Sequence, residues 1–583
     1  MGARISRRLR QVAEAEGLRT SELSPLMWMA TRGPRHAGVT QVGPWMLIGD
    51  VLNRRHPSFD DITDVVVSYE RKIIARFWGR YIGLRCNSDG MPKAVLRDAV
   101  GAMDCVVWED RGLTFIASEA PNWLLKTFPP QWSINFDRLA AGIHDPNLAH
   151  AHLFLDGPTA VRCGGLLDLS SGMEVSLWSP AAAARRSCYH RPSDHDAADE
   201  LREAVEEAVW GLAGISGPIL CEVSGGLDSS IVASCLTTAP KADVRVWLNS
   251  YGPDPSSDER PYVDALAEQL QFDPTSAYRR LAPFDSAVLN AMPQGFRPAL
   301  SALDTPHDAD WAARQTEAGA VAMFTGNGGD PMFVQPVPET TFADMLKDQG
   351  WRAFLSPALP TLARRSEVSV WSLIAVAAGR RVPNTYPPID LGAAVLSPQE
   401  IHPWLLDLDG LGPAKTYQLS NLISALAGQG PSLKTQVADV FNPLLSQPVV
   451  ETCLGLSIEQ LTLGRRDRAL ARFAFADQLP PTITQRRSKG ELTAFYGLMI
   501  ADGLVDLRSW LLQGRLAEKG LIDKQALDRR LMRAELAANG GYGEILTLAA
   551  FEGWVRAWEA RLGASERRHE HGQLARTENN SAN

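Results

Sequence analysis

One stretch constrains this chain more than any other. The short apolar run Pro218-Ile219-Leu220-Cys221-Glu222-Val223 ends in Ser224-Gly225-Gly226-Leu227-Asp228-Ser229-Ser230, and a second apolar run, Ile231 to Leu236, follows with helix-compatible spacing. That order reads as strand, tight turn, helix. Such a turn aims unpaired amide N–H groups at one point. Gly225 and Gly226 let backbone approach a ligand closely, while the first helical turn adds its positive dipole end and the hydroxyls of Ser224, Ser229 and Ser230. The ligand this geometry wants is an anion such as pyrophosphate. Asp228 would repel a bare phosphate, so a divalent cation belongs between them, and magnesium is the usual choice where phosphate oxygens complete the shell. The stretch lacks the Gly-Lys-Ser or Gly-Lys-Thr of a Walker loop.

A chain of 583 residues is too long for one core, so two domains are expected. A net charge of -9 argues against a general nucleic-acid binder, although local basic clusters are compatible with it. The cysteines (86, 105, 163, 188, 221, 235 and 453) are scattered, odd in number and without a C-x-x-C pair. That usage points to a reducing compartment and to neither a structural zinc nor a disulfide framework. No window reaches the roughly 18 apolar residues of a membrane span, and the start lacks the apolar stretch of a signal peptide. A cytoplasmic protein without membrane or nucleic-acid partners is the expectation.

Residues from about 27 to 180 read as short apolar segments separated by turns, the pattern of a β-rich layer. The Pro-, Ala- and charge-rich stretch after Trp178 reads as a linker. Helical spacing from Asp196 to Leu212 then opens a second domain. Val244 to Ser250 is a second strand, and Tyr262 to Leu270 a helix. Ala320 to Phe324 is a third strand, running into the glycine-rich turn Thr325-Gly326-Asn327-Gly328-Gly329-Asp330. Alternating strands and helices imply a parallel sheet with helices on both faces, and ligands bind beyond the carboxyl ends of such strands. The second turn thus offers more amides and a second carboxylate for the same metal-pyrophosphate group. From about 340 to 562 the chain reads as helices, and 564–583 as a polar, disordered tail. The expected domains are 1–185 and 196–563.

Ser224-Gly-Gly-Leu-Asp-Ser-Ser230 resembles the pyrophosphate loop of the ATP-pyrophosphatases and, in this spelling, of the asparagine synthetase superfamily. The resemblance implies a doubly wound parallel sheet with helical additions behind a β-rich amidotransferase-like domain. Leu96-Arg97-Asp98-Ala99-Val100-Gly101, Phe115-Ile-Ala-Ser-Glu119 and Phe77-Trp-Gly-Arg-Tyr81 resemble that N-terminal domain. Glutamine-using members carry a cysteine directly after the initiator Met. Here position 2 is Gly2, and a hydrogen cannot attack an amide, so a silent glutaminase is expected. Arg97 and Asp98 are read as structural.

The double glycine before Asp330 with Phe333 three residues on, Phe441-Asn-Pro-Leu-Leu-Ser-Gln-Pro-Val-Val-Glu451, Gly464-Arg-Arg-Asp-Arg-Ala469 and Leu479-Pro480 to Lys489-Gly490 together resemble the lasso peptide isopeptide-forming cyclases. Such enzymes adenylate an Asp or Glu side chain of a leader-processed precursor peptide and close a macrolactam with the peptide's own amine. They act beside a leader peptidase and a precursor-recognition protein. The resemblance implies ATP and Mg2+, with nucleotide contacts from Ser224, Gly225, Gly226, Leu227, Asp228, Ser229, Leu248, Thr325, Gly326, Gly328 and Gly329. Asp228 and Asp330 would hold the metal. Lys489 is the expected electrostatic catalyst, since one fixed ammonium beside developing negative charge is worth several kcal/mol. Asp439 is the candidate acceptor for the amine's proton. The Asp258-Glu259 pair is either a nucleotide-side acid pair or a solvated helix start.

Other readings remain open. A β-lactam synthetase or an ammonia-dependent asparagine synthetase would share the loops and differ in acceptor. A non-catalytic scaffold of a peptide-maturation complex would keep the fold alone. A tRNA-modifying ATP-pyrophosphatase is disfavoured by the missing paired cysteines and the acidic balance.

Overall fold

The computed structural model describes residues 2–33, 35, 37–55, 69–252, 258–300, 303–383, 400–487, 493–539 and 542–581. In the N-terminal layer, strands Val39–Val42, Trp45–Asn53, Phe77–Cys86, Pro92–Arg97, Gly165–Asp168 and Glu174–Ser176 form one antiparallel sheet in chain order. A second sheet joins Val106–Asp110, Leu113–Ala117 and Thr159–Ala160. Period-two alternation puts one face of each sheet inward. Ile82, Leu84, Val95 and Leu167 of the first therefore share a buried cluster with Val107 of the second. Arg97 is buried and donates to the carbonyls of Gly101, Met103 and Val161, and Asp98 accepts from the amides of Ala102 and Met103. The pair fixes the turn that leaves its strand.

The expected linker is not one. Pro180–Arg185 is a helix, capped by the Ser179 side chain and buried through Pro180, Ala181 and Ala184. Alanine's helix preference and a proline at the first helical turn explain it. The next helix, α1 (Asp194–Ser216), starts at a Ser193 cap and buries Leu201, Val205, Ala208, Val209 and Leu212.

The second domain is built on five parallel strands: β1 (Pro218–Glu222), β2 (Asp243–Tyr251), β3 (Pro274–Tyr278), β4 (Ala322–Phe324) and β5 (Asp439–Phe441). Their spatial order is β3-β2-β1-β4-β5. Both faces are covered. Ile219 and Cys221 of β1 pack with α1, α2 (Leu227–Thr238) and α3 (Arg260–Leu270), while Leu220 packs with Leu248 and with Trp311 of α4 (Thr305–Glu317). Two-sided burial is why the central strands β1, through Cys221, and β4 read as unbroken apolar runs, while β2 and β3 on one side of them carry polar residues. Chain direction across the sheet reverses between β1 and β4, and the crevice beyond the carboxyl ends at such a reversal is where ligands bind.

The last helix spans Tyr542–Ser581, with its side chains described as far as Gly563. Its first turns pack Ile545, Phe551, Trp554 and Trp558 against Trp108, Leu139 and Phe154 of the N-terminal layer. The stretch from 564, expected to lack regular structure, continues this helix. A helix already nucleated by packing extends with one hydrogen bond per added residue, whatever the hydrophobic pattern.

Candidate active site

The first glycine turn is knotted by its own serines. The Ser224 amide donates to Ser229 Oγ at 3.1 Å, the two hydroxyls lie 3.0 Å apart, and Ser230 Oγ donates to the Gly226 carbonyl at 2.7 Å. Gly225 takes φ 72°, a left-handed conformation that favours glycine, and a β-carbon there would meet the Glu259 carbonyl and Tyr262 at 3.0 Å.

The second turn is pressed directly onto the first. A β-carbon on Gly326 would stand 2.8 Å from the Ser229 α-carbon and 2.9 Å from the Asp228 carbonyl carbon. Gly328 has φ 97° and no room beside Leu445. Thr325 anchors the turn to β5, its amide donating to the Phe441 carbonyl at 3.1 Å and its hydroxyl to Asn442 Oδ1 at 2.6 Å. The two turns read from the sequence as one anion site therefore do converge.

Arg468 was not assigned a role from sequence. One of its guanidinium nitrogens, Nη1, donates to Asp228 Oδ2 at 2.9 Å and to Asp330 Oδ1 at 3.0 Å. The residue is 5% exposed and has φ 51°, unusual for a long side chain. Its only sequence signal was the Gly464-Arg-Arg-Asp-Arg468 run. Asp467 beside it pairs with Arg365, Arg468 and Arg472 at 3.9, 3.8 and 3.7 Å. Burial, then the neighbouring Arg466 and Arg468, lowers the Arg472 pKa to about 10. So many guanidinium groups around few carboxylates suit a polyphosphate, which accepts from planar N–H forks.

Glu259 is not a solvated helix-start acid. It is bound by both terminal nitrogens of Arg486, whose guanidinium also lies 3.8 Å above the Tyr262 ring. Asp258 instead pairs with Arg260 at 2.7 Å. The Glu259–Arg486 clasp brings the 481–487 segment against the first turn. Arg472 holds that segment from the other side, donating to the Ile483 and Thr484 carbonyls. Lys489, three residues further on, lies outside the described residues.

Two sequence expectations are corrected. Asp439 is the first residue of β5 and stands in register with Ala322, the first residue of β4. It is therefore at the amino end of the sheet, away from the turns that leave the carboxyl ends. Arg35 and Arg80 of the N-terminal layer hold its carboxylate at 2.7 and 3.1 Å. It ties the N-terminal layer to the parallel sheet and is not placed to take a proton at the turns. Leu248 has its side chain fully buried in the Leu220 and Trp311 cluster, and its carbonyl accepts from the Val223 amide at 2.9 Å. The side chain is therefore closed off from a nucleotide.

The donor set fits magnesium. Asp228 and Asp330 are hard oxygen donors brought to one point, and among the described residues no cluster of three or more His, Cys, Asp or Glu could cage a metal. Mg2+ characteristically takes one or two carboxylates and completes its shell with phosphate oxygens and water. A polar cavity of about 20 Å³, room for one water, is lined by Asp344, Lys415 and Glu459 and shares no residue with the turns.

A doubly covered parallel sheet with two glycine turns and paired carboxylates at its topological reversal defines an α/β protein of the doubly wound class. The chain belongs to the asparagine synthase family, whose model matches residues 200–400 and 433–556. Members are ATP-dependent amide-forming ligases that typically use Mg2+. No curated protein matches the chain. Among the described residues no helix is long and apolar enough to cross a membrane.

Proposed function

We propose that this ligase is a lasso peptide cyclase: it adenylates an Asp or Glu side chain of a leader-processed peptide and joins it to the peptide's N-terminal amine, releasing AMP and pyrophosphate. One observation carries the activation step. Asp228 and Asp330, from turns about 100 residues apart, meet on one guanidinium at 2.9 and 3.0 Å. Bound ATP and Mg2+ would supply the phosphoanhydride and its counter-ion there. The amides of the first turn orient the phosphates, Arg468 and Arg472 offset their charge, and Lys489 is proposed to steady the charge that builds as the amine attacks.

The peptide acceptor is favoured by Pro331-Met332-Phe333 after Asp330, where asparagine synthetases usually carry an acid, and by the runs around Pro443 and Arg466. The N-terminal layer is proposed to act as a structural partner and not as a glutaminase. A separately encoded leader peptidase and precursor-recognition protein are the proposed partners, and the cytoplasm the proposed location.

The test is peptide-dependent release of AMP and pyrophosphate with Mg-ATP, with the cyclic product identified by mass. Turnover on aspartate plus ammonia would replace this reading with asparagine synthesis. A carboxyethyl amino acid closing to a four-membered lactam would replace it with β-lactam synthesis. No ATP use with the cognate peptide would leave a scaffold.

A further inference from the structure

We infer that Glu222 faces the ligand and accepts a hydrogen bond from one of its N–H groups. The inference rests on the ligase reading above and extends it to a residue with no assigned role.

Glu222 closes β1, two residues before Ser224 and so within about 7 Å of the first glycine turn along the chain. Its position in the sheet fixes where its side chain goes. Glu222 pairs in register with Leu248, and Ser250 with Ala277, and paired residues of a parallel sheet share a face. Leu248 and Ala277 belong to the cluster under α4, with Leu220 and Trp311. Glu222 and Ser250 therefore stand on the α4 face at the carboxyl ends, on the wall of the crevice where the turns lie.

The charges around Glu222 are already matched with one another. Arg279 Nε donates to Asp304 Oδ2 at 3.1 Å, and Lys434 donates to Asp308 at 2.8 Å. Both cations are near enough to favour the ionised carboxylate, yet burial outweighs them and raises the Glu222 pKa. Neither one bonds to it: the Glu222 carboxylate makes no hydrogen bond or ion pair among the described residues. Ser250 Oγ on the same face is buried and also without a partner. Recessed polar groups in folded proteins are matched by protein, water or ligand. A carboxylate only accepts, so what it lacks is a donor, and an N–H donor to a carboxylate makes a strong bond. The half-buried state of Glu222 leaves the approach from the crevice open.

Two parts of the bound ligands carry such donors: the exocyclic amino group of adenine and the attacking amine. Calorimetry on the full chain with Mg2+ separates them. If the base is the donor, wild type binds ATP at least tenfold tighter than purine riboside triphosphate, which lacks that amino group, and Glu222→Leu erases the preference. If the amine is the donor, both nucleotides bind wild type equally. Ammonium, as the amine probe, then binds beside a non-hydrolysable ATP analogue in wild type and is lost in Glu222→Leu. Glu222→Gln, which keeps an acceptor oxygen and the same shape, retains part of either effect.

A Glu222→Leu protein with a wild-type circular dichroism spectrum that binds both nucleotides and ammonium like wild type would overturn the inference alone. Absence of nucleotide binding by wild type would overturn the ligase reading and this inference with it.

Discussion

Gly329 lies so close to Asp228 that a β-carbon on the glycine would stand 2.6 Å from the aspartate's own β-carbon and carboxyl oxygen. The second turn thus sets the position of the carboxylate in the first, and only a residue without a side chain allows it. Gly329→Ala should displace Asp228 by about 1 Å or more and cost about 100-fold in ATP–pyrophosphate exchange, since misplacement on that scale has that effect on a reacting geometry. Overpacking should lower stability by only about 1–3 kcal/mol, read by urea unfolding. Unchanged exchange in a folded Gly329→Ala protein would show that the two turns do not act as one site.

Asp228 and Asp330 share the single positive charge of Arg468. Arg468→Met should remove that positive charge from between the two carboxylates, so that the protein melts earlier in EDTA. Millimolar Mg2+ should then recover the loss, because a cation that binds only the folded state stabilises it by mass action. Wild type should gain much less from Mg2+ alone, its own guanidinium being in place. Equal Mg2+ responses in calorimetric scans of the two proteins would count against a shared cation position.

Asp439 at the edge of the parallel sheet pairs with Arg35 and Arg80 of the N-terminal layer, with Asp50 also held at 3.0 and 2.6 Å by the same arginines. Asp439→Asn should cost about 1–2 kcal/mol, the range for a charged hydrogen bond whose partners keep one other acid. Turnover per folded molecule should stay within about threefold of wild type. A loss of several hundredfold with unchanged stability would restore Asp439 as a proton acceptor.

His402 sits in a buried chain with His150 and Cys163, its ring 3.2 Å from His150 and the Cys163 thiol 3.4 Å from the far side of His150. Burial, then the nearby His152, lowers the His402 pKa from 6.5 to about 3, and burial also places His150 well below 6.5. Both rings are therefore neutral when folded and take up a proton on unfolding below about pH 6.5. Their share of stability is full above that pH and falls as acid is added toward pH 3. Each contributes up to about 1.4 kcal/mol per pH unit. His402→Gln should make the fall in unfolding free energy between pH 6.5 and 5 shallower by about that amount, measured by urea titration. A slope identical to wild type would show that the ring is charged in the folded protein.

Much of this was legible in the chain. Local pattern gave β1, the turn and α2, because an apolar run, two glycines and an apolar helix leave little conformational choice. The same logic found β4 with its turn and placed both at carboxyl ends. Arg468 was not legible. An arginine in a basic run is ordinarily a solvated one, and nothing within ten residues of it points to two aspartates at separations of 240 and 138 residues. Asp439 was misread for the complementary reason. Proximity in sequence to the Pro443 segment suggested the active face, but strand direction put it at the opposite end of the sheet.

What the amino-acid sequence determined by itself was the local chemistry: which backbone could curl tightly enough to hold an anion, and which acids stood at the ends of those curls. Tertiary structure alone decided the company these groups keep, from the arginine between Asp228 and Asp330 to the two that claim Asp439 and the unmatched carboxylate of Glu222. Backbone conformation depends on neighbours along the chain, whereas charge pairing depends on distance in space, and only the packing of the sheet and its helices sets that distance.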